Sequence, residues 1–273
     1  MRNSRLLLLL FLSIFMAACN NTKNTEVDEA EELVGDAIEE SQDMKYELSR
    51  FEPSTEYADA AITGMTYKNG MFNFTLADGE YKLGMQTPDA GQKMCANSDK
   101  GQHIHLIVDN APYSAQYTPS FEYDIADGDH YLLAFLSRSY HESIKTEAAS
   151  VIKKIAVANK SITSEEDVTE PMVFYSRPKG TYTGKANTDK VMLDFYLANA
   201  TLGEDYRVKA DINGEVHYIT SWEPFYIMGL PMGENTITLT LEDIDGNKVD
   251  TPLNPVTRTF TLEADPMEEA ANQ

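Results

Sequence analysis

Two segments of this 273-residue chain carry the same spacing of apolar and turn residues, and this correspondence limits the fold more than any other feature. The segment YTPSFEYDIADGDHYLLAFLSR (117–138) aligns without gaps with WEPFYIMGLPMGENTITLTLED (222–243). Upstream, HIHLIVDN lies over YRVKADINGE with one inserted residue, and FNFTLADG corresponds loosely to VFYSRPKG. A degenerate duplication of one β-sandwich unit explains all three matches. Chance similarity between two separate sandwiches is the alternative.

The chain between about residues 55 and 263 has the sequence pattern of β proteins. Short runs alternate apolar and polar residues, and turn signals such as NG, DG and MG separate them. A period of two is typical of strands with one buried face. We therefore predict an all-β chain with two tandem immunoglobulin-like β-sandwich domains, over residues 56–160 and 170–263. The first domain carries an extra hairpin around MTYKNGMFNFTL.

The N-terminal residues MRNSRLLLLLFLSIFMAACNN have the order of a secretory signal: a basic start, an apolar run and then small residues. Cys19 directly follows the small residues, which resembles the bacterial lipobox. That resemblance implies cleavage after residue 18 and a lipid anchor on Cys19. We predict a lipoprotein signal peptide over 1–18, an acidic tether over 19–55 and a frayed tail over 264–273.

The charge of the chain excludes one class of partner. The formal net charge is −22, and loss of Arg2 and Arg5 with the signal makes it −24. Nucleic acids and anionic membrane surfaces bind clustered lysine and arginine, so we predict no nucleic-acid partner. With Cys19 acylated, Cys95 is the single remaining thiol, and no internal disulfide is expected. We expect Cys95 to be a small buried apolar residue.

The stretch HIHLIVDN holds two of the five histidines. Side chains alternate between the two faces of a strand. Its Ile-Leu-Val stripe must face the core, so His103 and His105 point to the outer face. A slip of one residue would bury both histidines and expose the stripe. We therefore place both imidazoles on the outer face of the first sandwich.

The same alternation of side chains places an apolar patch on this outer face. Its members are Ile107, Tyr131, Leu133 and Phe135. A contiguous apolar patch marks a contact surface. We predict that the extra hairpin, the second domain or a protein partner covers this docking face.

The strand that contains YLLAFLSRSYH is expected to lie antiparallel beside HIHLIVDN. Its end then brings His141 close to His103 and His105. Three imidazoles can bind Zn²⁺ or Cu²⁺, and Met94 or Cys95 could add a sulfur ligand. The polar residues expected at this end, which could also bind a ligand, are Ser137, Arg138, Ser139 and Glu142. A hydrogen-bonded patch that orders loops, without any metal, fits the same residues.

The segments GQHIHLIVDN and DGDHYLLAFLSRSYHES resemble uncharacterised lipoproteins of Bacteroidota, which often carry the automatic label phosphopeptide-binding protein. SRSYHESI (137–144) also resembles the S-R-x-H-x-x-I segment of forkhead-associated domains. That resemblance implies phosphate recognition by arginine, serine and histidine. The match departs from the pattern by one inserted residue before His141, and no downstream N-x-T-x-x-N-G follows.

These features favour a membrane-anchored binding or accessory lipoprotein of the cell envelope with a histidine-lined metal or ligand site. We expect the anchor in the outer membrane, on the periplasmic side. The alternatives are a structural module for protein–protein contacts, a phosphopeptide-binding protein and, least supported, a hydrolase-type enzyme. No nucleophile elbow, H-E-x-x-H motif or glycine-rich phosphate loop is present in the sequence.

Overall fold

The structure is a computed structural model that describes residues 44–266, which all belong to one compact unit. The described chain is almost entirely β. Its strands are β1 (Glu47–Arg50), β2 (Ile62–Lys68), β3 (Met71–Leu76), β4 (His103–Val108), β5 (Ser114–Gln116), β6 (Ser120–Glu122), β7 (Gly128–Ser137), β8 (Ser150–Ala158), β9 (Ser161–Asp167), β10 (Met172–Arg177), β11 (Gly180–Thr183), β12 (Val191–Ala198), β13 (Tyr206–Ile212), β14 (Glu215–Ile219), β15 (Phe225–Met228), β16 (Gly233–Asp243) and β17 (Val256–Glu263). The helical segments are α1 (Lys185–Thr188) and the 3-10 turns Ala90–Gln92 and Glu147–Ala149.

The strands form four sheets. Sheet 1 has the order β2-β3-β6 and sheet 2 the order β5-β4-β7-β8-β9. Sheet 3 has the order β1-β15-β12-β10 and sheet 4 the order β11-β17-β16-β13-β14. Sheets 1 and 2 enclose one apolar core, and sheets 3 and 4 enclose another. The prediction of an all-β chain with two tandem immunoglobulin-like sandwiches is confirmed.

The two sandwiches repeat one strand order. The run β5-β4-β7-β8 of sheet 2 has the same order as β14-β13-β16-β17 of sheet 4. In the facing sheets, β3 lies between β2 and β6 as β12 lies between β10 and β15. The loose match of FNFTLADG with VFYSRPKG is therefore wrong by one strand, since it equates β3 with β10. The local pattern of apolar and turn residues suggested that match. The equivalent strand in the other sandwich is instead defined by the neighbours that a strand has in its sheet.

Strand β4 has the predicted register. Ile104, Leu106 and Val108 pack into the core between sheets 1 and 2. The hairpin β2–β3 is present but is not extra, because it is the counterpart of β10 and β12, and it belongs to sheet 1 on the far side of that core. It therefore completes the first sandwich and does not cover the outer face of sheet 2.

The predicted docking face lies inside the molecule. Ile107, Leu133 and Phe135 are fully buried against sheet 3, and Tyr131 packs at their edge. The covering residues are Val168, Met172, Phe174, Tyr196 and Ala198. Of the three coverings considered, the structure has the second sandwich, so this face is not available to a separate partner. The alternation of side chains along the strand could show that this face is covered, but it could not identify the part of the chain that covers it.

Strands in the middle of this four-layer stack are buried on both faces. Every residue of β4, β10 and β12 is buried. Such strands read as continuous apolar runs because both of their faces exclude water. Sheets 2 and 3 thus form the interior of the unit, with sheets 1 and 4 on the outside.

The N-terminal expectations fall mostly outside the described residues. The signal peptide 1–18 and Cys19 lie there, as do most of the tether 19–55 and of the tail 264–273. Part of the described tether differs from a solvated spacer, because Glu47–Arg50 pairs antiparallel with β15 at the edge of sheet 3. Between residues 44 and 266, no helix is long and apolar enough to cross a membrane.

Candidate metal centre

Three histidines meet at one end of sheet 2. Strand β4 pairs antiparallel with β7, so that His103 lies opposite Ser137 and His105 opposite Phe135. The chain turns back just after β7, and His141 occupies that turn with a φ of +71°. The turn is closed by backbone hydrogen bonds between Arg138 and residues 141 and 142. The predicted meeting of the three histidines is therefore present.

The ring nitrogens converge on one point. Nε2 of His103 lies 2.8 Å from Nε2 of His105 and 3.0 Å from Nδ1 of His141. Nε2 of His105 lies 3.4 Å from Nδ1 of His141. Zinc–nitrogen bonds of about 2.0–2.1 Å in a tetrahedral site separate two ligand nitrogens by about 3.3–3.4 Å. Two of the three separations are shorter than that, so a small outward movement of the rings would fit a metal ion.

The other nitrogen of His103 fixes its protonation. Nδ1 lies 2.8 Å from the carbonyl oxygen of Gly101, which can only accept, so Nδ1 carries the hydrogen. In the neutral ring, Nε2 then presents a lone pair to the cluster. A backbone carbonyl that orients a ligand histidine in this way is the usual second partner in metal sites. Nδ1 of His105 lies 3.3 Å from the hydroxyl of Ser176, which can either donate or accept.

Burial keeps the three imidazoles neutral. It lowers the pKa of His103 to about 4, an effect that the Gly101 carbonyl opposes and that the nearby charges of Arg177 and Lys179 reinforce. Burial also holds the pKa of His105 and of His141 well below the ordinary value. Neutral imidazole is the form that binds metals. At neutral pH the cluster is therefore ready to act as a ligand set.

Aromatic rings wall the cluster. The ring of Tyr113 stacks on His105 at 3.6 Å between centroids with an interplanar angle of 8°. Its hydroxyl lies 3.3 Å from Nδ1 of His141. Tyr117 packs against His103 at 4.9 Å. These rings leave His141, which is half-buried, as the ligand nearest to solvent.

Sequence reasoning missed a second set of neighbours, which comes from the second sandwich. Ser176 and Arg177 end β10, and Lys179 follows them. Nζ of Lys179 donates to the carbonyl oxygen of Tyr113 at 2.6 Å and lies 3.9 Å from its ring centroid. The one signal in the sequence was the unbroken apolar run MVFY in front of Ser176, which is typical of a strand covered on both faces.

Comparisons with known proteins assign no family. No family model and no curated protein matches the chain. Among solved structures, fibronectin(III)-like modules of Clostridium thermocellum CbhA share 16% identity over 34% of this chain and 98% of theirs, with a TM-score of 0.28. The central fibronectin-III array of RIM-binding protein shares 12% identity over 78% and 72%, with a TM-score of 0.26.

A third solved structure is SGBP-B of a Bacteroides ovatus mixed-linkage glucan utilization locus, in complex with a heptasaccharide. It shares 9% identity over 80% of this chain and 70% of its own, with a TM-score of 0.21. Superpositions this poor carry no functional argument. The fold described above stands on the sheet order itself.

The polar residues predicted beside the histidines hold the loops together. The hydroxyl of Ser137 donates to the carbonyl oxygen of Arg138, and that of Ser139 accepts from the backbone N–H of Thr87. The Arg138 guanidinium donates to the carbonyl oxygen of Thr55 at 2.7 Å and lies 3.5 Å from the Glu142 carboxylate.

All four of these predicted ligand-binding residues are buried. A ligand-binding role was predicted for Ser137, Arg138, Ser139 and Glu142, and it requires side-chain groups that are free to contact a ligand. The structure corrects this expectation, because their side chains are committed to internal contacts.

The two sulfur ligands that were considered also lie elsewhere. Met94 is exposed, whereas Cys95 is buried in an aromatic cluster with Phe51, Tyr140 and Tyr226. Burial raises the pKa of the Cys95 thiol to about 11. The expectation of a buried, apolar-like cysteine is confirmed. Within residues 44–266, the grouped metal-ligating side chains at this place are the three histidines alone.

Proposed function

We propose that this protein is a metal-binding lipoprotein of the bacterial cell envelope, in which His103, His105 and His141 bind Zn²⁺ or Cu²⁺. One observation carries the proposal: three neutral ring nitrogens lie 2.8 to 3.4 Å from one another. One hydrogen bond joins only two of the three nitrogens, and Nδ1 of His141 also lies 3.3 Å from the Tyr113 hydroxyl. A single cation accepts all three lone pairs.

The chemistry of the cluster suits these ions. Imidazole is a good ligand for zinc and copper, whereas calcium and magnesium require oxygen. No carboxylate joins the three nitrogens among the described side chains. Three protein ligands also leave a fourth tetrahedral position for water or another small ligand.

The test measures metal binding by the purified full-length chain, with isothermal titration calorimetry for the affinity and elemental analysis for the metal content. We expect about one Zn²⁺ or Cu²⁺ per chain, and a drop of at least about 100-fold in affinity for His105→Ala. His217→Ala is the matched control, because that histidine lies on β14, away from the cluster, and contacts Glu215 of the same strand. Equal metal content in the wild type and His105→Ala would overturn the proposal.

The envelope part of the proposal rests on residues 1–19. The small residues before Cys19 support lipid attachment, and the outer membrane with the periplasmic side is the location proposed. Labelled palmitate should enter the wild type but not Cys19→Ser. Labelling that survives this substitution would contradict the anchor.

The alternatives have less support. A protein-docking module would need the face of Ile107, Leu133 and Phe135, which the second sandwich covers. A phosphopeptide site would need Arg138, whose guanidinium already donates hydrogen bonds to the carbonyl oxygen of Thr55.

A further inference from the structure

Positive charge without a counter-charge surrounds the histidine cluster. Arg177 is only 4% exposed, and its guanidinium donates to the hydroxyl of Tyr182 at 2.7 and 3.3 Å. Arginine keeps its charge inside proteins. Lys179, which is half-buried, donates to a carbonyl oxygen. No carboxylate of residues 44–266 lies within ion-pair distance of either cation.

Three other buried or half-buried cations of the described chain have carboxylate partners, whereas Arg258 has none and its buried Nε and Nη2 have no hydrogen-bond partner. Lys145 lies 2.5 Å from the Asp194 carboxylate, Arg138 lies 3.5 Å from Glu142, and Lys93 lies 3.7 Å from Asp89. A buried cation is strongly unfavourable unless an opposite charge compensates it. Arg177 and Lys179 therefore lack the carboxylate partner that Lys145, Arg138 and Lys93 have.

The charges of both cations reach the proposed metal ligands, because they add to the effect of burial in lowering the pKa of His103, His105 and His141. Ser176, which precedes Arg177, contacts Nδ1 of His105. Lys179 sits on the Tyr113 ring, and that ring stacks on His105. A divalent metal bound by three neutral imidazoles would add two further positive charges to this region. Without an anion, the charges of the metal, Arg177 and Lys179 would repel one another.

We propose that the metal binds together with a small anion, which takes its fourth coordination position and balances the charges of Arg177 and Lys179. This inference rests on the proposed metal-binding function. Zinc sites with three protein ligands keep the fourth position for such a group. The anion must be small, such as hydroxide, chloride, azide or bicarbonate, because His103 and His105 are fully buried and Tyr113 is 5% exposed. His141 and Lys179, which are half-buried, are the members of this set that contact solvent.

The test uses the full-length protein loaded with Co²⁺, whose visible spectrum reports the ligands of the ion. Azide and bicarbonate are titrated separately in a chloride-free buffer. We expect a saturable spectral change in the wild type. In Lys179→Gln we expect bound Co²⁺ but anion binding at least about tenfold weaker, because one compensating charge is lost. Lys154→Gln, at an exposed position, is the matched control and should behave as the wild type.

Two results would overturn the inference in distinguishable ways. If Co²⁺ binds but neither anion changes its spectrum, the proposed anion site is wrong and the metal site stands. No uptake of Co²⁺ or Zn²⁺ under any condition would overturn the metal site and the anion with it. Equal anion affinity in the wild type and Lys179→Gln, with both folded by circular dichroism, would remove Lys179 from the anion site. An Arg177→Gln variant, which removes the charge, then tests whether Arg177 acts alone, and equal anion affinity in this folded variant would overturn the inference.

Discussion

The hydroxyl of Ser176, on β10 of the second sandwich, lies 3.3 Å from Nδ1 of His105, on β4 of the first. The candidate metal centre is therefore built by both sandwiches, although all three histidines belong to one. Ser176 can accept a hydrogen from Nδ1, which leaves Nε2 of His105 free to bind a metal. The second sandwich thus supplies a hydroxyl that can stabilise the tautomer of His105 in which Nε2 carries no hydrogen.

Replacement of Ser176 by alanine tests this control. We expect a loss of metal affinity of about 10- to 100-fold, the range usual for partners of ligand histidines. The fold should remain, since only a hydroxyl is removed. Isothermal titration with Zn²⁺ measures the change, and Ser164→Ala on the exposed part of β9 serves as the control. An unchanged affinity would show that Ser176 does not orient His105.

Gly101 positions His103 through its backbone. Its φ is +84°, and a Cβ there would lie 2.6 Å from backbone atoms of Gly84 and Met85. We expect Gly101→Ala to destabilise the protein by about 1–3 kcal/mol and to weaken metal binding, because the carbonyl that holds His103 must move. Chemical denaturation measures the stability. Gly91→Ala, where a Cβ meets nothing within 4 Å, should change little.

His141 holds a backbone conformation that suits glycine better. Its φ of +71° costs a non-glycine residue about 1 kcal/mol or more. We expect His141→Gly to leave the metal-free protein at least as stable as the wild type and to abolish high-affinity Zn²⁺ binding. Thermal unfolding with and without Zn²⁺ separates the two effects. A large loss of metal-free stability would instead assign His141 a structural role.

Phe135 lies at the centre of the contact between the sandwiches. It is fully buried, and its ring stacks on Tyr196 with centroids 5.3 Å apart. We expect Phe135→Ala to cost about 3–5 kcal/mol of folding free energy, as large-to-small changes in cores do. Tyr218→Ala, at a position 55% exposed, is the control. A cost below about 1 kcal/mol would contradict the packed interface, since surface substitutions fall in that range.

His130 gives a pH dependence away from the metal centre. Burial lowers its pKa, but hydrogen bonds to the Asp109 carboxylate and the Ala126 carbonyl outweigh this effect and raise the pKa above 6.5. The resulting stabilisation is fully present below about pH 6.5 and is lost as the pH rises through the raised value. We expect His130→Gln to lower the Tm at about pH 6 more than at about pH 9. The opposite order would contradict the Asp109 contact.

The sequence by itself determined the register of β4 and β7. The alternating Ile-Leu-Val stripe permits only one face for the core, and a one-residue slip would invert every side chain. That register carries His103, His105 and His141 to one end of one sheet, which is why the cluster could be predicted. The apolar parity of Leu133 and Phe135 likewise showed that their face is covered.

Only the tertiary structure decided what covers that face and what completes the site. Alternation within a strand reports burial, but it does not identify the layer that packs on it. Ser176 lies 71 residues from His105 in the chain. Arg177 and Lys179 approach the cluster only because sheet 3 packs on sheet 2. The charges around the three imidazoles therefore come from the packing of two sandwiches, a long-range relationship that no local pattern encodes.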